Sequence, residues 1–174
     1  KATGVRPNLA LVKATPIKAE LGILVDEQFQ TNVPGIYAAG DVAETRNLAS
    51  DGDTCVNANW PNANAQGRIA GQNMAGQTTD YPGSLGMSSL PIFGVPIFSL
   101  GIVEPGEGKD YQVKLRRGVG IYQKLVFKGN RLIGGVFVGE SPDVGLVNDL
   151  IQKHIASGLV KDAILDQRQP AYLF

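Results

Sequence analysis

The chain has 174 residues, enough for one domain or two small ones. A hydrophobic fraction of 43% supports a packed core, and 18% charged residues is too few for a disordered chain. Sixteen basic and sixteen acidic residues cancel without a basic cluster, so nucleic acid and anionic membrane are excluded as expected partners, and no apolar run approaches the roughly 20 residues of a membrane span.

The first segment, Lys1-Ala-Thr-Gly-Val-Arg-Pro-Asn8, has no initiator Met and reads as the end of a preceding element. The expectation is that the chain is the C-terminal part of a longer protein. Residues 23–26, Ile-Leu-Val-Asp, predict a short strand. The central stretch is Thr31-Asn-Val-Pro-Gly-Ile-Tyr-Ala-Ala-Gly-Asp41. Val33-Pro34-Gly35 predicts a turn, because proline fixes φ and glycine accepts φ > 0. The apolar run 36–39 predicts a strand buried on both faces, ended by Gly40. Asp41 then places a carboxylate just beyond the strand's C-terminal end, where open α/β sheets bind ligands.

Residues 47–57 are polar and turn-rich and predict a surface loop. It contains Cys55, the single cysteine, so there is no internal disulfide, redox pair or thiolate cluster, and a reducing cytoplasm fits best. Cys55 reads as a small packed side chain, with a reactive thiol as the alternative. Residues 60–75 predict a helix with Asn59 as a candidate cap, Pro61 suited to the first helical position and Gly76 as the left-handed residue that ends it. Ala63, Gly67 and Gly71 recur every four residues and predict a bare face packed closely on a sheet or a ligand.

Tyr81-Pro-Gly-Ser84 is a composition break taken as the boundary between residues 21–80 and 81–174, with residues 1–20 a linker from a preceding domain. Pro91 and Pro96 predict short or edge strands. Residues 97–103, 111–117, 120–127 and 131–138 predict strands, the last two joined by a hairpin turn at Lys128-Gly129-Asn130. The sum is an antiparallel sheet of three to five strands. A second helix is expected from Ser141-Pro-Asp143, capped by the serine, with Val147, Leu150, Ile151 and Ile155 as its apolar stripe and Gly158 closing it. A short helical tail follows at 160–165, and Ala171-Tyr-Leu-Phe174 is an apolar end that seeks either a partner or its own domain. His154, the only histidine, is expected in mid-helix at the core edge. Arg68, Arg116, Arg117 and Lys124 read as solvated positions, with docking of an acidic electron carrier as the alternative.

The Thr, Pro-Gly-Ile-Tyr-Ala, Gly-Asp order resembles the second flavin-binding motif of the FAD-dependent pyridine nucleotide-disulphide oxidoreductase family. Two further segments strengthen the resemblance. Ala-Thr-Gly-x-Arg-Pro-Asn at the start is similar to the exit from the family's NAD-binding domain. The run from Trp60 to Gly76 looks most like the NADH:rubredoxin oxidoreductase and nitrite reductase branch. The resemblance implies a fold of α/β plus α+β type: the returning part of a Rossmann-like FAD-binding domain, then a C-terminal antiparallel sheet with packed helices, the interface or dimerisation domain.

It implies that Gly40 and Asp41 hold the ribityl chain of FAD. It also implies that the helix N-terminus at Trp60, Pro61 and Asn62 faces the pyrimidine edge of the isoalloxazine. The expected function is therefore part of an FAD-dependent NAD(P)H oxidoreductase, passing electrons from a nicotinamide through flavin to rubredoxin or a related carrier. NAD(P)H is its co-substrate, and a homodimer through the C-terminal domain is its expected assembly. Neither family Gly-x-Gly-x-x-Gly fingerprint occurs: Gly118-Val-Gly120 comes nearest, but position 123 is Gln. The alternative is a non-catalytic dimerisation or assembly module lacking complete FAD and NAD sites. Catalytic residues and metal ligands are not expected in this chain.

Overall fold

The computed structural model describes residues 4–106, 110–139 and 143–156. The chain divides into two compact units, Lys1–Ser84 and Leu85–Phe174.

The first unit is a small sheet and one helix. Strands β1 (Ile23–Leu24), β2 (Ala43–Arg46) and β3 (Thr54–Cys55) lie in that order, β1 parallel and β3 antiparallel to β2. Both β2 and β3 fall in stretches that the sequence reading left outside strands. The run 36–39, by contrast, is not a buried strand. Among the described residues it pairs only with residues 29–31, through a single antiparallel bridge of Gln30 with Tyr37 flanked by Thr31 N–H to Ile36 O at 2.8 Å and Ala38 N–H to Phe29 O at 3.1 Å. Ile36 is exposed because no sheet neighbour covers it among the described residues. The turn that makes this hairpin forms as its sequence dictates. Ile36 N–H returns to Val33 O at 3.1 Å with Gly35 at φ 77°, so Pro34 and Gly35 occupy the two central positions of a type II turn.

Helix α1 (Trp60–Met74) starts at Asn59, whose side chain accepts from Asn62 N–H, and has proline in its first turn. Gly76, at φ 83°, ends it in a Schellman motif: Gly76 N–H bonds Asn73 O and Gln77 N–H bonds Gln72 O. Its buried face is Gln66, Ile69 and Ala70, not the glycine stripe. Gly67 and Gly71 are exposed, and a Cβ at either would meet nothing within 4 Å. Ile69 and Ala70 join Phe29 and Tyr81 in the core, the two rings 5.0 Å apart and tilted by 47°. Such an aromatic pair is worth about 0.5–1.5 kcal/mol beyond its buried area. Asn73 clasps the helix end, giving its amide hydrogens to Thr79 O and Gln28 O and accepting from Thr79 N–H.

The second unit is a five-stranded antiparallel sheet in the order β4-β5-β8-β7-β6, built from β4 (Met87–Ile92), β5 (Val95–Gly101), β6 (Tyr111–Gly118), β7 (Ile121–Lys128) and β8 (Arg131–Val138). Both prolines sit at the margin: β4 is an edge strand, and Pro96 precedes the first β5–β8 pair, Ile97 with Val138. Gly129, at φ 57°, lies in the β7–β8 turn. Gly134 in β8 marks a close backbone approach, since a Cβ there would lie 2.1 Å from Ile102 O.

Helix α2 (Val144–Gln152) packs on β8 and β5 and buries Val147, Leu150 and Ile151. Its cap is Asp143, not Ser141, which lies outside the described residues: the Asp143 carboxylate accepts from Leu146 N–H at 3.2 Å. The helix also ends earlier than its apolar pattern suggests. His154, at φ 53°, occupies the left-handed position of a second Schellman motif, with His154 N–H to Ile151 O and Ile155 N–H to Leu150 O. His154 is therefore not in mid-helix, and Ile155 is 42% exposed. Gly158, the tail at 160–165 and the apolar end lie outside the described residues.

The observed class is α/β followed by α+β, as expected from the sequence. Among the described residues, no helix is long and apolar enough to cross a membrane.

Candidate functional site

The residues singled out in the first unit meet at one place. Gly40, at φ 83°, turns the chain after the 29–38 hairpin in a conformation that an L-residue rarely adopts. Its backbone N–H donates to Gln66 Oε1 at 2.8 Å, and a Cβ at Gly40 would stand 3.6 Å from Ala63 Cβ. The Gly40-Asp41 turn thus lies flat against the first two turns of α1. Asp41 is exposed, and its carboxylate makes no hydrogen bond among the described residues. It is an acceptor with its capacity unspent.

The helix start is more fully satisfied than its position implies. Asn62 N–H is taken by Asn59 Oδ1 at 2.9 Å, and Asn62 Nδ2 reaches Asn57 O at 3.4 Å. Pro61 has no N–H to offer. Among the described residues, the Trp60 backbone N–H is the donor left without a partner, and the Trp60 side chain is 78% exposed. The positive end of the helix dipole remains, worth about 0.3–1 kcal/mol toward an adjacent negative charge.

Gln66 was not singled out by sequence reasoning, because a glutamine inside a helix reads as a surface residue. Only 1% of it is exposed. Its amide oxygen accepts from Gly40 N–H, and its side chain lies beside the Tyr81 hydroxyl. Burial pushes the Tyr81 hydroxyl above its usual range, and the Gln66 hydrogen bond pulls the other way.

A second polar cluster ties the sheet. Glu44, 1% exposed, accepts from Gly22 N–H at 2.9 Å and from Thr54 Oγ1 at 2.6 Å. Cys55 Sγ receives Asn57 Nδ2 at 3.1 Å and lies 3.5 Å from Ser84 Oγ. Burial raises the Cys55 thiol, the nearby Glu44 carboxylate adds to the rise, and the Ser84 and Asn57 hydrogen bonds only partly offset it. A thiol held protonated is a poor nucleophile. Among the described residues no group of three or more His, Cys, Asp or Glu side chains is placed to hold a metal ion.

Two family models match this chain: pyridine nucleotide-disulphide oxidoreductase over residues 1–67, and the rubredoxin NAD+ reductase C-terminal domain over residues 87–155. The chain belongs to the pyridine nucleotide-disulphide oxidoreductase family. A similar relative is the nitrite reductase [NAD(P)H] of Bacillus subtilis, 33% identical over 153 residues, which are 87% of this chain and 18% of that protein. The crystal structure of NADH:rubredoxin oxidoreductase from Clostridium acetobutylicum superposes with a TM-score of 0.69 at 30% identity, covering 94% of this chain and 42% of that one. An FAD-dependent pyridine nucleotide-disulphide oxidoreductase from Desulfovibrio vulgaris shares the fold, with a TM-score of 0.80 at 24% identity over 95% of this chain and 44% of that one. The chain spans well under half the length of these relatives. The two matched regions fall one in each compact unit, and the first contains Gly40, Asp41 and the start of α1.

Proposed function

We propose that this chain supplies half of the FAD site of an NAD(P)H-dependent flavoprotein oxidoreductase, together with its C-terminal domain. The observation that carries the reading is the Gly40-Asp41 turn, bound to α1 through Gly40 N–H at 2.8 Å and presenting an unpaired carboxylate beside the helix start. The residues fit the group. Gly40 has no side chain to keep a ligand from the backbone, and Asp41 can accept hydrogen bonds from the ribityl hydroxyls. The α1 N-terminus, with the Trp60 N–H, favours negative charge at the flavin's pyrimidine edge. Pro61 and Asn62 act there through the helix they begin, since neither has a free backbone donor. When bound, FAD accepts a hydride from NAD(P)H and releases electrons to an acceptor.

The acceptor in this reading is a small electron-carrier protein, rubredoxin or a relative, and the setting is the cytoplasm. Support comes from the rubredoxin NAD+ reductase model over residues 87–155. Self-association through the second unit is part of the same proposal, supported by exposed apolar side chains at Leu90, Ile92, Phe93, Val113 and Val119. A visible absorption spectrum of the intact protein, before and after addition of FAD, tests the flavin reading. Bound-flavin bands are expected; a protein that stays colourless with excess FAD overturns it.

A further inference from the structure

Among the described residues the Gly40-Asp41 turn contacts α1 through one polar link, part-buried at Gly40 and buried at Gln66. A backbone N–H can only donate, so the Gln66 atom facing Gly40 at 2.8 Å must be Oε1. The Gln66 side chain also lies beside the Tyr81 hydroxyl. Tyr81 is itself held, its ring against Phe29 at 5.0 Å and its N–H on Glu27 O at 2.7 Å. Gln66 is 1% exposed and Tyr81 9%, so both side chains sit within the core. The chain Tyr81–Gln66–Gly40 therefore transmits the rigidity of the core to the one residue before Asp41.

We propose that Gln66 is a positioning residue of the flavin half-site, oriented by Tyr81, which holds the Gly40-Asp41 turn against α1 so that the Asp41 carboxylate is already placed when FAD arrives. The proposal rests on the flavin reading above. Its energetic content is preorganisation: without the link, the turn must be ordered at the moment of binding, and affinity falls by that amount. Loss of one such hydrogen bond corresponds to a roughly 3- to 10-fold weaker Kd.

The test is equilibrium titration of the apo form of the intact flavoprotein with FAD, with the visible circular dichroism of the bound flavin recorded for each variant. Gln66→Met keeps the volume and removes the amide. Tyr81→Phe keeps the ring packed on Phe29 and removes only the hydroxyl. Asp41→Ala, alone and combined with Gln66→Met, completes a double-substitution cycle. Gln66→Met is expected to raise Kd roughly 3- to 10-fold and to alter the flavin dichroism, with Tyr81→Phe shifting Kd in the same direction by less. In the cycle, Gln66→Met should have little further effect once Asp41 is gone, because it acts through Asp41. Weaker binding in Asp41→Ala with unchanged Kd and dichroism in Gln66→Met overturns the positioning role and leaves the flavin reading intact, even if Gln66→Met lowers Tm. Independent, multiplying effects in the cycle also overturn it. Unchanged Kd in Asp41→Ala refutes the flavin reading itself. Should Gln66→Met fail to fold, Tyr81→Phe decides, and an unchanged Kd there refutes the relay.

Discussion

The same substitution at two glycines separates the turn at Gly40 from the bare face of α1. Gly40 has φ 83°, and an added Cβ would meet Ala63 Cβ at 3.6 Å, an ordinary contact. The penalty of Gly40→Ala is therefore backbone strain rather than overlap, about 1–2 kcal/mol for a left-handed L-residue. Gly67 lies inside α1 with nothing within 4 Å of its Cβ position. Gly67→Ala meets neither obstacle and gains helix propensity, up to about 1 kcal/mol. In a unit of residues 1–84, 1 kcal/mol moves Tm by about 4–8 °C. Thermal unfolding followed by far-ultraviolet circular dichroism should thus show Gly40→Ala lowered by roughly 4–16 °C and Gly67→Ala raised by up to about 8 °C. A Gly40→Ala variant as stable as the parent would refute the demand for a left-handed turn. A destabilised Gly67→Ala would show that the glycine face is packed after all.

Other predictions follow from single contacts. Gly134→Ala should destabilise the second unit by about 2–3 kcal/mol or more in urea unfolding, because its Cβ would lie 2.1 Å from Ile102 O and backbone cannot move aside cheaply. Gly106→Ala, with nothing within 4 Å, is its near-neutral control. Cys55 should react with iodoacetamide more slowly than an unfolded-chain thiol at every pH up to its raised value, since less of it is thiolate. The sign for stability follows from the same shift: the contribution is present below the ordinary thiol range and is lost as pH rises through the higher folded value, because the unfolded thiol ionises first. A Cys55 that alkylates as fast in the native chain as in urea would contradict the burial.

Where chemistry is local, the sequence was a reliable guide. The type II turn at Pro34-Gly35, the Asn59 cap, the Gly76 helix end and the 128–130 hairpin each need only neighbouring residues, and each forms as read. Where a residue's role depends on a distant partner, the pattern misled. Strand β2 is Ala-Glu-Thr-Arg, with no apolar alternation, yet its first three residues are buried. Glu44 can be inside because Gly22 and Thr54 satisfy its carboxylate. Gln66 is hidden for the same reason, its hydrogen-bond partner lying at position 40. The run 36–39 failed in the opposite sense: its composition suits a buried strand, but among the described residues only 29–31 pair with it. His154 shows a third limit. Histidine in a left-handed helix cap carries no glycine to announce it, so the apolar spacing extends the helix past its true end.

The site residues share this division. Gly40, Asp41 and the α1 start were legible as a motif, whereas the saturation of Asn62 N–H by Asn59 and the Gln66 link needed coordinates. In the proposed flavin site this narrows the part of the helix start to the Trp60 N–H and the dipole and leaves more to Asp41.

The most direct test of the account is the Kd of FAD for the intact protein carrying Asp41→Ala. Asp41 has no hydrogen-bond partner among the described residues, so its removal should leave the fold unchanged while deleting the proposed charge-assisted hydrogen bond to FAD, worth about 1.5–3 kcal/mol. A stably folded variant that binds FAD roughly 10- to 150-fold more weakly is expected. A folded variant with the parent's Kd would contradict the flavin reading.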